Sequence, residues 1–459
     1  MGPRTRSWAR RAPALLALVA TGFALSGCAF QRPEDPVVLT GSELPRLIGA
    51  PPGKILAYRY IQDQWQQVPV QVDERAVIDF GTVYDDDPYG VQVLTYTDPG
   101  TFVGPDPDPT LDGNDEVALM GIDSWSRAPA GAHPPNVVAG SGEELRIHDA
   151  TGDPIDTYVY LYRQTGNLDP GAGRSYVDYD FGLLSGDYKG TYRLNDGPNP
   201  EDSTVTTSFY SRHFSDRWTG DGLRITAPGA SGVDILDRHK NLFAPGFCDR
   251  SEDTFNDAEG AFIVNKSGPV RAIRSYIGAN SGPLTGRQHV FYERREEITT
   301  FLRVHAIPAV MDFFDYSPAA SGMTYRSDAD GDGATIDGIP DQVDAGEIGW
   351  ETVDGAQGGL SIVHRISTDV PGLDWTSYHL DDSTPSGPSQ TQCTGDAFAY
   401  GSSGPWINEG IPNTDPRSTP FYSLTDRRTL FYELPGKSDG PRRSAQVDSP
   451  LQVSVAPHD

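Results

Sequence analysis

The residues best equipped for chemistry in this chain crowd into positions 285–316. Two β-like runs, 287–293 and 298–305, pair as a hairpin. With Tyr292 opposite Ile298, one face carries Val290, Tyr292, Ile298, Thr300, Leu302 and Val304. The other face carries Arg287, His289, Phe291, Glu293, Phe301, Arg303 and His305. Such a face suits a polyhydroxylated or anionic sugar. Aromatic rings stack on apolar sugar faces, guanidinium groups grip carboxylates through two parallel hydrogen bonds, and His or Tyr moves protons. A one-residue slip exchanges the two faces, and the alternative is an exposed sheet face laced with charge. Just beyond, Met311-Asp312-Phe313-Phe314-Asp315-Tyr316 sets two carboxylates beside aromatic rings. Paired carboxylates serve a glycoside hydrolase as acid and as base or nucleophile, although the same two residues can simply end a strand. The candidate catalytic set is His289, Tyr292, Arg303, His305, Asp312, Asp315 and Tyr316. His364-Arg365 and Tyr378-His379 are further places for a lyase-type base.

A second chemical feature is acidic. Asp328-Ala329-Asp330-Gly331-Asp332-Gly333 alternates carboxylates and ends in a glycine that permits a tight turn, the arrangement that gathers oxygen ligands around a hard cation. Asp328, Asp330 and Asp332 form the core of this expected Ca2+ site, with Asp337 and Asp341 as closers. Ile339 stands where an EF-hand places its last carboxylate, so the run is more similar to the isolated calcium loops of extracellular proteins; a solvated acidic turn is the alternative. Asp112-Gly113-Asn114-Asp115 reads more simply as a turn ahead of a strand at 116–120.

These candidates need a scaffold, and the chain supplies strands. Short β-branched and aromatic runs bounded by Pro, Gly or Asp recur at 54–60, 67–72, 157–162, 261–264, 270–277, 288–292, 298–305, 360–365, 429–434 and 451–455. No stretch of a dozen residues keeps apolar residues at helical spacing, so helices are few. The 50 Gly and 38 Pro also point to a loop-rich β protein. With 7 Trp, 21 Tyr and 18 Phe a large core is within reach, which excludes wholesale disorder despite a net charge of −28. That acidity also excludes sequence-independent nucleic-acid binding. The Gly-x-Ser-x-Gly elbow, the Walker loop, His-Glu-x-x-His and a dinucleotide fingerprint are all missing. The strand-helix alternation of a transporter's solute-binding protein is missing too.

The N-terminus carries an address. Arg4, Arg6, Arg10 and Arg11 precede an apolar stretch, 12–25, too short to span a bilayer stably. It ends in Leu25-Ser26-Gly27-Cys28, which resembles the lipobox of bacterial lipoproteins. The resemblance implies cleavage before Cys28, acylation of that residue (diacylglyceryl and palmitate-type chains) and an extracytoplasmic body held at a membrane of the cell envelope. In such an oxidising compartment the two remaining cysteines, Cys248 and Cys393, are expected to form a disulfide, neither having a metal-ligand partner at useful spacing.

The expected layout is a signal peptide over 1–28, a polar tether over 29–40, a small β domain over 41–145 and a large antiparallel β-sandwich over 146–459. The strand order around Gly268-Pro269-Val270-Arg271 and the following hairpin resembles the β-supersandwich of galactose-mutarotase-like and polysaccharide-lyase proteins. The resemblance implies a membrane-anchored, mainly β lipoprotein that binds or processes envelope or environmental polysaccharide; an enzyme of this kind would be a polysaccharide lyase or glycoside hydrolase. The other reading is a non-catalytic structural or interaction lipoprotein. Substrate and oligomeric state are not written in the sequence.

Overall fold

A computed structural model describes residues 32, 34–81, 91–151, 155–184, 200–242, 251–256, 260–278, 285–303, 309–384, 398–410 and 422–459, with the side chain of residue 303 left aside. Half of the described residues are in strands and 8% are helical, in keeping with the turn-rich, aperiodic sequence. Among the described residues no helix is long and apolar enough to cross a membrane.

The largest element is a nine-stranded antiparallel sheet. Its order is Ala261–Lys266, Ala272–Ile277, Gly286–Phe291, Arg295–Arg303, Ser423–Glu433, Gly358–Thr368, Trp350–Gly355, Thr324–Ser327 and Ala334–Thr335. A four-stranded sheet of Leu236–Leu242, Val310–Tyr316, Ala399–Ile407 and Thr376–Asp382 lies against it, as does a second one built from Val177–Asp180, Ser203–Thr207, Tyr210–Phe214 and Gly220–Ile225. Alternation along the strands drives the packing. Phe291 and Ile298 from the long sheet, Phe314 and Tyr316 from one short sheet, and Val205, Tyr210 and Phe214 from the other share one core.

Near the N-terminus, a three-stranded sheet (Pro36–Thr40, Glu116–Met120, Gln71–Asp73) shares a second core with a five-stranded one. The latter runs Gln452–Pro457, Glu143–His148, Asp156–Arg163, Ile55–Ile61 and Gln64–Val68. Leu145, Ile147, Val159 and Leu161 point into that core, whereas Leu56, Tyr58, Tyr160 and Tyr162 form a separate apolar cluster. Burial on both faces explains the unbroken apolar run Ile55-Leu56-Ala57-Tyr58.

Two expected boundaries move. The division at 145/146 cuts through strand Glu143–His148, and the strands Asp156–Arg163 and Gln452–Pro457 belong to the N-terminal sheet. Sheet pairing joins segments far apart in sequence, so a composition-based boundary cannot find it. The tether is also shorter than expected. Pro36–Thr40 pairs with Glu116–Met120 because Val37 and Leu39 alternate into the core, at 2% and 3% exposure. Arg32 is buried as well. Its Nε donates to Asp35 Oδ2 at 2.7 Å, Nη1 to the Ser449 carbonyl at 2.6 Å and Nη2 to the Gln446 carbonyl at 3.0 Å.

Candidate functional site: a buried carboxylate centre and an open cleft

The hairpin that carries the catalytic candidates adopts a different register from the expected one. His289 lies opposite Ile298 and Phe291 opposite Glu296. The Tyr292 N–H donates to the Arg295 carbonyl at 2.8 Å, so only Glu293 and Arg294 remain in the turn. The shift of three residues is odd and exchanges the faces of one strand relative to the other. Arg287, His289 and Phe291 therefore share a face with Glu296, Ile298 and Thr300, while Phe301 and strand position 303 fall on the opposite side. Arg287 and His289 thus do not share a face with Phe301, as the expected register would have had them do. His305 lies outside the described residues, as do Cys28, Cys248 and Cys393.

The inner face of the nine-stranded sheet is instead a ladder of charge. Arg274, His289, Ile298, Arg428 and His364 stand opposite one another across five strands, and Arg287, Thr300 and Asp426 form the adjoining row. The facing sheet offers His239, Asn241 and Asp312. Asp312 Oδ1 accepts from His239 Nε2 at 2.7 Å and forms an ion pair with Arg428 Nη2 at 2.9 Å. Its Oδ2 accepts from Arg287 Nη2 at 2.7 Å and from Thr300 Oγ1 at 3.2 Å. Aromatic rings flank the guanidinium groups, Trp218 at 5.1 Å from Arg287 and Phe314 at 5.4 Å from Arg428. Burial opposes ionisation of Asp312, but Arg287, Arg428 and His239 outweigh it and hold the carboxyl well below the usual range.

Asp426 comes from the long sheet and borders the same cavity as Asp312 and Thr300, a space of about 20 Å³, the size of one water. Neither carboxyl oxygen of Asp426 makes a hydrogen bond, and Arg428 Nε stands 3.7 Å away. Burial raises its pKa, only partly opposed by His364 and Arg428, and the Asp312 charge adds to the rise. Two carboxyls facing one space, one held readily ionised by its cations and one whose ionisation burial opposes, have the divergent environments that acid–base chemistry uses. Yet this space admits no sugar ring, and Asp312 is 4% exposed.

The remaining candidates disperse. Asp315 points away from Asp312, to the other side of its strand, where its Oδ2 meets Lys240 Nζ at 2.8 Å and its Oδ1 accepts from the Tyr400 N–H at 3.2 Å. His289 donates through Nδ1 to Glu296 Oε1 at 2.9 Å, and Tyr432 donates to Glu296 Oε2 at 2.6 Å. Burial lowers the His289 pKa to about 3, so the ring is neutral. Against burial, Arg212 and the bonds from His289 and Tyr432 hold Glu296 at about 2. Tyr316 sits in the core, where burial pushes its hydroxyl well above the ordinary range.

Tyr292 alone among the described candidates borders a larger space. A cleft of about 260 Å³ separates the N-terminal sheets from the long sheet and the helix Gly440–Asp448. Its polar lining is Arg32, Asp35, Tyr292, Arg295, Glu297 and Gln446, and its walls include Val38, Val447, Pro450 and Leu451. Arg295 Nη2 bonds Glu297 Oε1 at 2.8 Å, and Nη1 stands 3.6 Å from Asp35 Oδ1. Two atoms here are buried without a hydrogen-bond partner, Asp35 Oδ1 and Arg295 Nε. The sequence reading passed over both residues, because an Arg and an Asp in polar stretches look like ordinary surface groups.

The acidic loop is held by its own backbone. Asp330 Oδ1 accepts from the N–H groups of Asp332 and Gly333 at 3.1 Å each, and Oδ2 from that of Asp344 at 3.1 Å. Asp328 Oδ2 accepts from the Gly349 N–H at 2.8 Å and Asp337 Oδ1 from that of Ile339 at 3.0 Å. Among the described residues no three of His, Cys, Asp and Glu gather in a way that could hold a metal ion.

No family model and no curated protein matches this chain. Among solved structures, a protein described as an aldose 1-epimerase from Escherichia coli K12 superposes with a TM-score of 0.28 at 12% identity, over 56% of this chain and 100% of its own. A protein of glycosyl hydrolase family 38 from Enterococcus faecalis superposes with a TM-score of 0.41 at 9% identity. That match covers 93% of this chain and 46% of the other, so this chain spans about half the length of that protein.

Proposed function

We propose that the chain is a lipid-anchored, extracytoplasmic lipoprotein whose β body binds carbohydrate without cleaving it. The supporting observation is a division of roles. The side chains suited to acid–base or nucleophilic work are spent on separate buried partners, His289 on a hydrogen bond to Glu296 and Asp312 and Asp315 on ion pairs, whereas the cleft beside Tyr292 offers both donors and acceptors between apolar walls. Binding sites for small solutes combine these features: an apolar enclosure with a few polar groups that fix orientation.

Binding and cleavage separate in one experiment. The chain is incubated with a panel of neutral and acidic polysaccharides, and retention is measured together with new reducing ends and the absorbance of unsaturated uronates. Retention without either product is expected. Reducing ends would make the protein a hydrolase and uronate absorbance a lyase, while no retention of any glycan would favour a structural lipoprotein. The anchor is tested by Cys28→Ala, which is expected to lose both membrane retention and incorporation of labelled fatty acid.

A further inference from the structure

Cys28 and Arg32 are four residues apart, and Arg32 is fixed in the fold by its bonds to Asp35, Gln446 and Ser449. At about 3.3–3.6 Å per extended residue, that interval reaches no more than about 14 Å. An acylated Cys28 would thus hold the body against the bilayer surface, not on a free stalk. Arg32 and Asp35 also line the cleft beside Tyr292, so the cleft lies at the root of this leash.

The two unpartnered atoms define what the cleft lacks. Asp35 Oδ1 accepts no hydrogen bond, its nearest cation being Arg295 Nη1 at 3.6 Å, Arg295 Nε donates none, and Asp35 is 2% exposed. A carboxylate or phosphate can only accept, and an ammonium can only donate. A hydroxyl does both. The charges also balance, Arg32 and Arg295 against Asp35 and Glu297, so no net field selects an ion. We infer that this cleft takes a neutral, polyhydroxylated sugar unit presented as a lipid headgroup by the membrane to which the chain is anchored. The orientation rests on the lipid-anchor reading above; the hydroxyl chemistry does not.

The test uses the full chain, purified from membranes and placed in phosphatidylcholine nanodiscs with or without a neutral diglycosyl diacylglycerol. Backbone hydrogen exchange is followed at 36–40 and 446–453. At glycolipid about ten times above its dissociation constant, exchange there should slow about tenfold. Val38→Trp, at a 37% exposed wall position, should abolish that slowing without altering the melting midpoint, and Glu297→Gln, which removes the carboxylate paired with Arg295, should abolish it too. Free disaccharide added to glycolipid-free discs should slow the same segments. A long Gly/Ser insertion before Arg32 should weaken the glycolipid effect and spare that of the free disaccharide. Equal slowing in Val38→Trp, or none with either sugar source, overturns the site. An insertion without consequence overturns the membrane-facing orientation. Cys28 found unacylated by mass spectrometry would sink the anchor reading, leaving the free-disaccharide arm to judge the cleft.

Discussion

Asp312 and Asp426 reach one water-sized cavity from facing sheets, yet Asp312 is held by two guanidinium groups, a histidine and a threonine while Asp426 accepts no hydrogen bond. Removing one partner of a buried ion network leaves the others uncompensated, so Asp312→Asn should cost about 3–5 kcal/mol. Asp426→Asn should behave oppositely. Its pKa is raised in the fold, so it contributes stability at low pH that is lost as pH rises through the folded value. The amide should therefore match wild type below the ordinary carboxylate value of 3.8 and gain on it as pH rises above that value. Urea midpoints of both variants across this range decide the matter, and a large loss in Asp426→Asn at high pH would contradict the assignment.

The pair His289–Glu296 predicts the acid limb of stability. The folded pKa of His289, about 3, lies below its ordinary 6.5, so the unfolded chain binds a proton that the native one refuses. Stability is complete above about 6.5 and falls as pH drops toward 3. Glu296, at about 2 against an ordinary 4.5, adds a second loss below 4.5. His289→Gln should flatten the upper part of this decline. An imidazole resonance titrating near its ordinary value in the native protein would instead place His289 on an open face and revive it as a general base.

How far this was readable from sequence depends on what signals burial. The apolar strands were legible from pattern: expected runs at 116–120, 157–162 and 360–365 match Glu116–Met120, Asp156–Arg163 and Gly358–Thr368. Strands with charged inward faces were not. Leu236–Leu242 reads Leu-Asp-Arg-His-Lys-Asn-Leu and looks solvated, yet His239 and Asn241 are buried against Asp312 and Arg287. Asp426 and Arg428 hide for the same reason. Strand alternation alone does place Asp312 and Asp315 on opposite faces, so their pairing as acid and base was refutable from spacing. The hairpin register was not, because it hung on a two-residue turn of charged residues, Glu293-Arg294, without the usual Asn-Gly signature.

The loop at Asp330 gives a third prediction. Its carboxylate accepts three backbone N–H groups, so Asp330→Ala should cost about 1–3 kcal/mol whether or not calcium is present. Thermal melts of wild type and variant, each with calcium and with chelator, are compared. Equal shifts in both media are expected. A wild-type midpoint that drops with chelator, and a variant that ignores it, would show that a cation and not the backbone holds this loop.

The last prediction concerns which sheet owns the C-terminus. Gln452–Pro457 pairs along its length with Glu143–His148, and Val453 and Val455 cover the N-terminal core. Beyond the strand, His458 lies 4.6 Å from the Tyr160 ring and 6.2 Å from Trp65, and bonds the Ala132 carbonyl at 2.9 Å. Deleting residues 452–459 removes two half-buried valines and a ring contact from the N-terminal core, which should cost about 2–3 kcal/mol. The loss should register at Trp65 as red-shifted emission, because that ring loses its His458 neighbour. If the C-terminal segment instead served the large sandwich, the deletion would leave Trp65 emission unchanged and increase hydrogen exchange along Ser423–Glu433.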